Sequence, residues 1–345
     1  MRTLSFEFMT RLIGALLIVM LAVALPATGQ TKVGTTAGQF LGISVGPRAM
    51  AMGGAYVASN EDVTSIYWNP GAFQQAGKSQ LAFSNTDWLV GTKFRWVGLM
   101  LNLGTENAVG LSLTQLDYGE EEVTTVAMPE GTGERWSAQD LSIGLSYCRR
   151  LTDRFSMGAT VKYVDQRIWN ESATTFAFDI GLLFVTGFHD MRLGVSMSNF
   201  GGEMKMDGRD LLQRVDIDPL NSGSNKALVG SLKTDSWAIP LLFRVGVAID
   251  AYKDDMFKLT LAADALRPND NEESVNAGGE IGWNNMIFLR GGYKSLFGSD
   301  AEEGLSLGAG LKYTVEGFGA IEVNYAFTKF GLFGNLNTIS LAVSF

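Results

Sequence analysis

The 345-residue chain has one cysteine, Cys148, and one histidine, His189. A cysteine–histidine zinc site therefore cannot be assembled from it, and no disulfide can form within it. Neither a metal nor a cofactor is expected. His189 is the one imidazole available as a general base, and it sits in Gly187-Phe188-His189-Asp190, a tight turn between two strand-like runs. That argues for a solvated turn residue, because catalytic bases sit in pockets with an orienting partner. Charge is also scarce, at 18% of residues against about 25% in ordinary domains. The net charge of −9 speaks against a nucleic-acid partner, which would call for a basic stripe. Beyond the first segment no apolar run is long enough for a transmembrane helix. Glycine is plentiful, with 41 residues, and 46% of the chain is hydrophobic.

The first segment reads as an address. Arg2 and Arg11 precede an apolar run from Leu12 to Leu25, followed by Pro26-Ala27-Thr28-Gly29. This is the order of a secretory signal peptide, with Ala27 and Gly29 at the cleavage-site positions. A membrane anchor is the competing reading, but the apolar run is shorter than the roughly 20 residues a spanning helix needs. No cysteine follows the cleavage region, so a lipoprotein anchor is out. Removing residues 1–29 takes away Arg2, Arg11 and Glu7, leaving the exported chain one unit more acidic.

The remainder alternates at period two. Leu141, Ile143, Leu145 and Tyr147 interleave with Ser142, Gly144, Ser146 and Cys148; Leu305, Leu307, Ala309, Leu311 and Tyr313 interleave with Ser306, Gly308, Gly310 and Lys312. One face is apolar and the other small or polar, which is the strand signature. A soluble sandwich would alternate too, so loop lengths decide. About fourteen strands are predicted, at 79–87, 93–103, 107–118, 138–151, 154–168, 173–186, 190–200, 236–252, 255–267, 273–283, 285–297, 304–315, 317–329 and 334–345. Their connections alternate between tight turns and mostly longer loops, as in an outer-membrane barrel. The expected fold is an all-β, transmembrane, antiparallel barrel with both termini on the short-turn, periplasmic side. The last strand, Asn337 to Phe345, alternates and ends on an aromatic, like the C-terminal signal of bacterial outer-membrane barrels. Trp88, Trp96, Trp136, Trp169, Trp237 and Trp283 suit interfacial girdles.

In this register the lumen collects Lys162, Asp179, Arg192, Arg244, Asp250, Asp264, Glu280, Arg290, Lys294, Lys312 and Glu322. Two readings stand: a polar channel lining, or mutually paired charges that fill and stiffen the barrel. Mixed signs favour the second, because they make a poor selective field. Cys148, on the same face, reads as a small buried residue.

Residues 33–76 break the strand period. The run from Gly46 to Ala58 is rich in small residues; Asn60 then suits the cap of a short helix through Asp62–Tyr67, which Asn69-Pro70-Gly71 ends. Its length and position suit an N-terminal plug, giving a layout of 1–29 signal peptide, 30–78 plug and 79–345 barrel.

These residues carry a resemblance. Arg48-Ala49-Met50-Ala51-Met52-Gly53-Gly54-Ala55-Tyr56-Val57-Ala58, followed by Ile66-Tyr67-Trp68-Asn69-Pro70, resembles the N-terminal signature of the PorV/PorQ family, a branch of the FadL-like outer-membrane barrels. Ser198-Asn199-Phe200-Gly201-Gly202, Ala263 to Asp270 and Leu289-Arg290-Gly291-Gly292-Tyr293-Lys294 match as well, so the likeness runs through the exported chain. Gly71 departs from the usual Asn-Pro-Ala form.

The resemblance implies a fourteen-stranded barrel with an N-terminal plug. It also implies a non-enzymatic role in type IX protein secretion: PorV-like docking on the translocon and shuttling of cargo C-terminal signal domains, or PorQ-like surface attachment. The plug-motif candidates are Arg48, Met52, Gly53, Gly54, Asn69 and Pro70; the leading lumen charges are Asp179, Arg244, Asp264, Glu280, Arg290 and Lys312. For a partner surface the long loop Gly201–Asp235 stands out, with Met204, Met206, Leu211, Leu212, Val215 and Ile217, since exposed apolar loop residues mark interaction sites. The competing reading is that this loop folds over its own barrel mouth. A FadL-like conduit for hydrophobic small molecules is the alternative function; an outer-membrane lipase fares worst, because His189 falls in a short turn.

Overall fold

The computed structural model describes residues 33–59, 62–217, 220, 228–298, 303–317 and 319–345. The expected export signal and the expected cap Asn60 lie outside them.

Period-two alternation becomes a pleated wall of fourteen long strands. They are β1 (Gln80–Asp87), β2 (Lys93–Leu103), β3 (Asn107–Glu122), β4 (Arg135–Thr152), β5 (Phe155–Ile168), β6 (Glu171–Val185) and β7 (Arg192–Gly201) in the first half. The second half holds β8 (Leu242–Lys253), β9 (Phe257–Pro268), β10 (Ser274–Trp283), β11 (Ile287–Tyr293), β12 (Glu303–Val315), β13 (Gly319–Phe330) and β14 (Asn335–Ser344). Each is antiparallel to the next, and β14 returns to β1 from Gln80↔Ser344 to Asp87↔Asn337. The sheet is a closed barrel with no free edge, the form in which strands satisfy their backbone groups inside lipid.

The two faces separate as the pleat requires. On β4, Ile143, Leu145 and Tyr147 are exposed while Ser142, Gly144, Ser146 and Cys148 are buried. On β14, Ile339 and Leu341 face out while Thr338, Ser340 and Ala342 face in. An apolar outer wall over a small and polar inner one inverts the soluble pattern and suits lipid outside.

One rim carries only tight turns. Asn284 and Asn285 both take a φ of 52°, the left-handed pair a two-residue hairpin needs and Asn tolerates. In the β8–β9 turn, the carboxylate of Asp254 accepts the N–H of Met256 and Phe257 at 2.8 and 2.6 Å and the hydroxyl of Tyr252 at 2.6 Å. These bonds, the tyrosine's foremost, hold its carboxyl below the ordinary range. The opposite rim carries the longer connections, 123–134 and 202–241 above all. The barrel's first strand begins, and its last ends, at the tight-turn rim, where Phe345 N–H bonds Ser79 O at 3.0 Å.

Three expectations change. The strand expected at 236–252 is interrupted: Ser236–Ala238 pairs with Glu203–Lys205 in a separate ladder, and β8 starts only at Leu242. Pro240 lies in the break and has no N–H to give a central ladder. The β3–β4 hairpin outgrows its expected length, continuing past a bulge to Glu122↔Arg135. Trp96 is no girdle residue: it is 1% exposed, faces inward, and lies over the space left by Gly98.

Leu145 is among the most outward-turned residues of the wall, 60% exposed. Leu145→Arg is expected to lower the unfolding free energy in lipid vesicles by about 2–4 kcal/mol, the cost of arginine on the lipid face near the midplane. Val126→Arg, at a fully exposed position of the β3–β4 loop, is expected to leave it unchanged in the same denaturant titration.

Candidate functional site

Inside the barrel, residues 36–59 and 62–79 thread from the long-loop mouth to the tight-turn rim. At the mouth, Gly38 N–H donates to Gln166 Oε1 at 2.9 Å, and Thr36 and Gln39 both donate to Asp270 Oδ2. At the far rim, Gln74 Nε2 donates to Thr105 O at 2.6 Å and Gln75 Nε2 to Ser156 Oγ at 3.1 Å. The barrel's strands thus begin and end at the tight-turn rim, and residue 36 of the plug lies at the opposite mouth.

Two short helices shape the plug, α1 (Pro47–Ala51) and α2 (Ser65–Trp68). Pro47 opens α1, where a missing N–H costs nothing. Ahead of α2, Asp62 Oδ1 accepts the Thr64 N–H at 2.8 Å. Asn69 follows α2 in extended conformation, as a residue before proline must. Its side chain ties two plug segments to the wall: Nδ2 donates to Val57 O and Leu182 O at 2.8 and 2.9 Å, and Oδ1 accepts from Gly71 N–H at 2.9 Å.

The plug backbone lies directly on the wall. Gly53 adopts a φ of +66°, and a Cβ there would stand 2.6 Å from Tyr293 N. Facing it, Gly278 and Gly292 leave space for the Met52 backbone. Gly158 meets Pro70 O, Gly181 meets Asn69 and Gly71, Gly194 meets Val57, and Gly308 meets Ala51. At each of these wall positions a Cβ would come closer than side chains ever approach. A sizeable share of the forty-one glycines is explained by this contact. Gly54, also at positive φ, lies beside Asn276 and Trp68.

The lumen charges are spent on one another and on the plug. Arg48 grips Glu280 with two bonds, Nε to Oε2 at 2.8 Å and Nη2 to Oε1 at 2.6 Å, and Arg290 Nε meets the same Oε2 at 2.5 Å. Asp62 stands 3.5 Å from Arg48 and accepts the Tyr56 hydroxyl. Asp264 Oδ2 accepts the N–H of Tyr56 and Val57 at 2.7 and 2.9 Å. Arg244 lies over the rings of Tyr67 and Trp68, at 5.5 and 5.2 Å, and donates to Ser198 Oγ. Lys162 pairs with Asp179 at 2.6 Å, and Asp179 also takes the Asn199 N–H at the β6–β7 bulge. Of the six leading lumen charges, only Lys312 stands apart, at the tight-turn mouth. Asp62, Tyr56 and Asn199 were not among the expected site residues, because nothing in their local pattern marks the partners that the fold brings to them, Asp264 for Tyr56, Arg48 for Asp62 and Asp179 for Asn199.

The long loop divides in two. Its base, Glu203–Lys205 against Ser236–Ala238, closes over the plug: Ala37 N–H bonds Ala238 O at 2.9 Å and Met204 is 1% exposed. Met204 and the partly buried Met206 pack into the interior cluster, so neither is presented outward as expected. The tip is a separate ladder, Leu212–Val215 against Leu228–Ser231, with Leu212, Val215, Ile217, Leu220 and Val229 all exposed; Leu211 is half-buried. His189 lies in the exposed β6–β7 turn with its ring against Phe188.

A family model described as "Type IX secretion system protein PorV" matches residues 26–213. No curated protein matches. Among solved structures, the CymD monoaromatic hydrocarbon channel aligns with 87% of this chain and 97% of its own, at 14% identity and a TM-score of 0.59. The Pseudomonas putida toluene transporter TodX aligns with 87% and 98%, at 12% identity and 0.53. A Pseudomonas aeruginosa FadL homologue aligns with 87% and 96%, at 14% and 0.50. The chain shares the fold of these barrels.

Glu280 neutralises two buried guanidinium groups, one on the plug and one on the wall. Glu280→Gln is expected to lower stability by roughly 3–5 kcal/mol, the usual cost of stranding a buried charge. Asp190→Asn, which breaks the exposed pair with Lys253, is expected to cost no more than about 1 kcal/mol; equilibrium unfolding of both variants in lipid compares them.

Proposed function

This chain belongs to the PorV family of type IX secretion system proteins, and from that premise we propose that it works as a binding platform rather than as a pore or an enzyme. Family and fold together make it an outer-membrane barrel of that secretion pathway. The finer reading is that it receives the C-terminal signal domains of exported cargo and hands them on, docking against the translocon as it does so.

The observation that carries this reading is the division of the long loop. Its base seals the plug, and its tip holds apolar side chains away from both barrel and plug, where burial against a partner is worth about 25 cal/mol per Å². Apolar loop tips of this kind favour protein contacts. In the proposed orientation the tight-turn rim and the C-terminus face the periplasm and the tip faces the cell surface. Residues 1–29 are then the export signal, 30–78 the plug and 79–345 the barrel.

The conduit reading draws on the structural neighbours, a hydrocarbon channel and a toluene transporter. At 12–14% identity these share architecture alone. Against transport weigh the plug held to both rims and the polar character of the lumen. For a PorQ-like attachment role the same tip would serve, with a different partner.

Leu212 and Ser231 are paired across the tip ladder, so a short Gly-Ser link between Leu211 and Leu232 can replace the tip without moving the base. This variant is expected to insert and resist heat as the native barrel does, yet to lose copurification with the translocon and with cargo signal domains. Full copurification by the tipless barrel would overturn the platform reading.

A further inference from the structure

Below the plug's last turn, at the tight-turn rim, the lumen opens into a cavity of about 410 Å³. That volume falls in the range of small-ligand sites, about 300–1,000 Å³. Arg192, Lys258, Lys312, Asp250 and Glu280 line it, with Gln75 and Phe288 as further walls. Nothing in the plug's attachment or in the loop tip accounts for this space.

The charges there do not balance. Asp250 is committed: its Oδ1 accepts Arg192 Nη2 at 2.9 Å and Thr260 Oγ1 at 3.0 Å, and its Oδ2 stands 3.4 Å from Lys258 Nζ. On the rim Lys253 and Asp190 pair at 3.8 Å. Lys312 has no side-chain hydrogen bond or ion pair among the described residues. Its cross-strand neighbour Glu322 is turned to Asn324 Nδ2 at 2.9 Å and to Arg290 Nη2 at 3.8 Å. The cavity wall carries four cations, Arg192, Lys253, Lys258 and Lys312, against three carboxylates, Asp190, Asp250 and Glu280. Deeper in, the two guanidinium groups of Arg48 and Arg290 are matched by the carboxylates of Asp62 and Glu322. One positive charge is left over, in a chain whose net charge is −9.

We propose that this cavity binds a single carboxylate carried on a peptide, with Lys312 as its ion-pair partner and Arg192 and Lys258 shaping the field around it. A surplus of one charge is met by one carboxylate; a phosphate dianion would overshoot and would crowd Asp250. The side wall of Phe288 and the amide of Gln75 give a short peptide something to lie on beside its charged group. The carboxylate comes from a chain terminus or from an Asp or Glu side chain, and the chemistry at Lys312 is the same for both.

The test uses the full-length barrel in lipid nanodiscs at low ionic strength and a dansyl-labelled tripeptide, Gly-Gly-Phe, read by anisotropy. Three forms are compared: the free acid, the C-terminal amide, and an amide with Glu in place of the central Gly. The free acid or the Glu form is expected to bind at least roughly fivefold more tightly than the plain amide, the worth of a partly screened ion pair. Which of those two binds better identifies the source of the carboxylate. Lys312→Met is expected to erase that preference and Lys312→Arg to keep it, both with native heat-modifiable mobility. Equal binding of acid and amide, no saturable binding of any form, an unaltered preference in Lys312→Met, or displacement of the acid by inorganic phosphate but not by acetate would each overturn the proposal.

Discussion

Backbone-to-wall contact between the plug and the barrel is the constraint on which the rest of the structure depends. A pleated wall presents a Cβ at every second position toward the lumen, and a threaded chain can touch it only where that Cβ is missing. Gly158, Gly181, Gly194, Gly278, Gly292 and Gly308 supply those gaps on six strands, the first five opposite plug backbone and Gly308 opposite the Ala51 methyl. The plug is thereby seated against six of the fourteen strands, and the pleat fixes which residues face outward. The same glycines leave the wall poor in inward side chains of its own, so the plug's Phe40, Tyr56, Ile66, Tyr67, Trp68 and Phe73 provide the interior bulk.

Electrostatics then fixes the plug's angle and depth. In a space screened from water a lone charge is costly, so charges enter in groups that close on themselves. Glu280 stands between a plug arginine and a wall arginine; Asp264 caps two plug amides; Arg244 lies on two plug rings. Each of these pairs a wall residue with a plug residue more than a hundred positions away. They give the barrel one register for its plug rather than several. The interior charges thus serve assembly, and in the proposed function recognition of partners falls to the two ends of the molecule.

Much of this was legible in the sequence because the barrel's logic is local. Alternation along Leu141 to Cys148, the tight turn at Asn284 and the terminal run to Phe345 state strand, turn and face within a few residues of each other. The small-residue run from Gly46 to Ala58 announced a packed segment for the same reason. What escaped was decided at long range. Trp96 alternates like a girdle residue, yet faces inward because Gly98 clears room for its ring beside the plug. Met204 and Leu212 belong to one apolar-rich loop and look equivalent on paper. Only the pairing of Glu203–Lys205 with Ser236–Ala238 sends the first beneath the lid and leaves the second outside. The wall glycines carry no period that marks them as plug contacts; their meaning appears only once the plug lies across them.

A plug held by glycine contacts and shared charges has to stay in place while the protein works, if the barrel is a platform rather than a passage. The direct measurement removes Cys148 by substitution to Ala, places cysteines at Gln75 and Ser156, whose side chains touch at 3.1 Å, and joins them with a short thiol crosslinker in the living host. Surface delivery of proteins bearing the C-terminal signal domain is then followed. Delivery at the uncrosslinked rate is the result this account predicts; arrest of delivery on crosslinking, with recovery when a cleavable linker is cut, would contradict it.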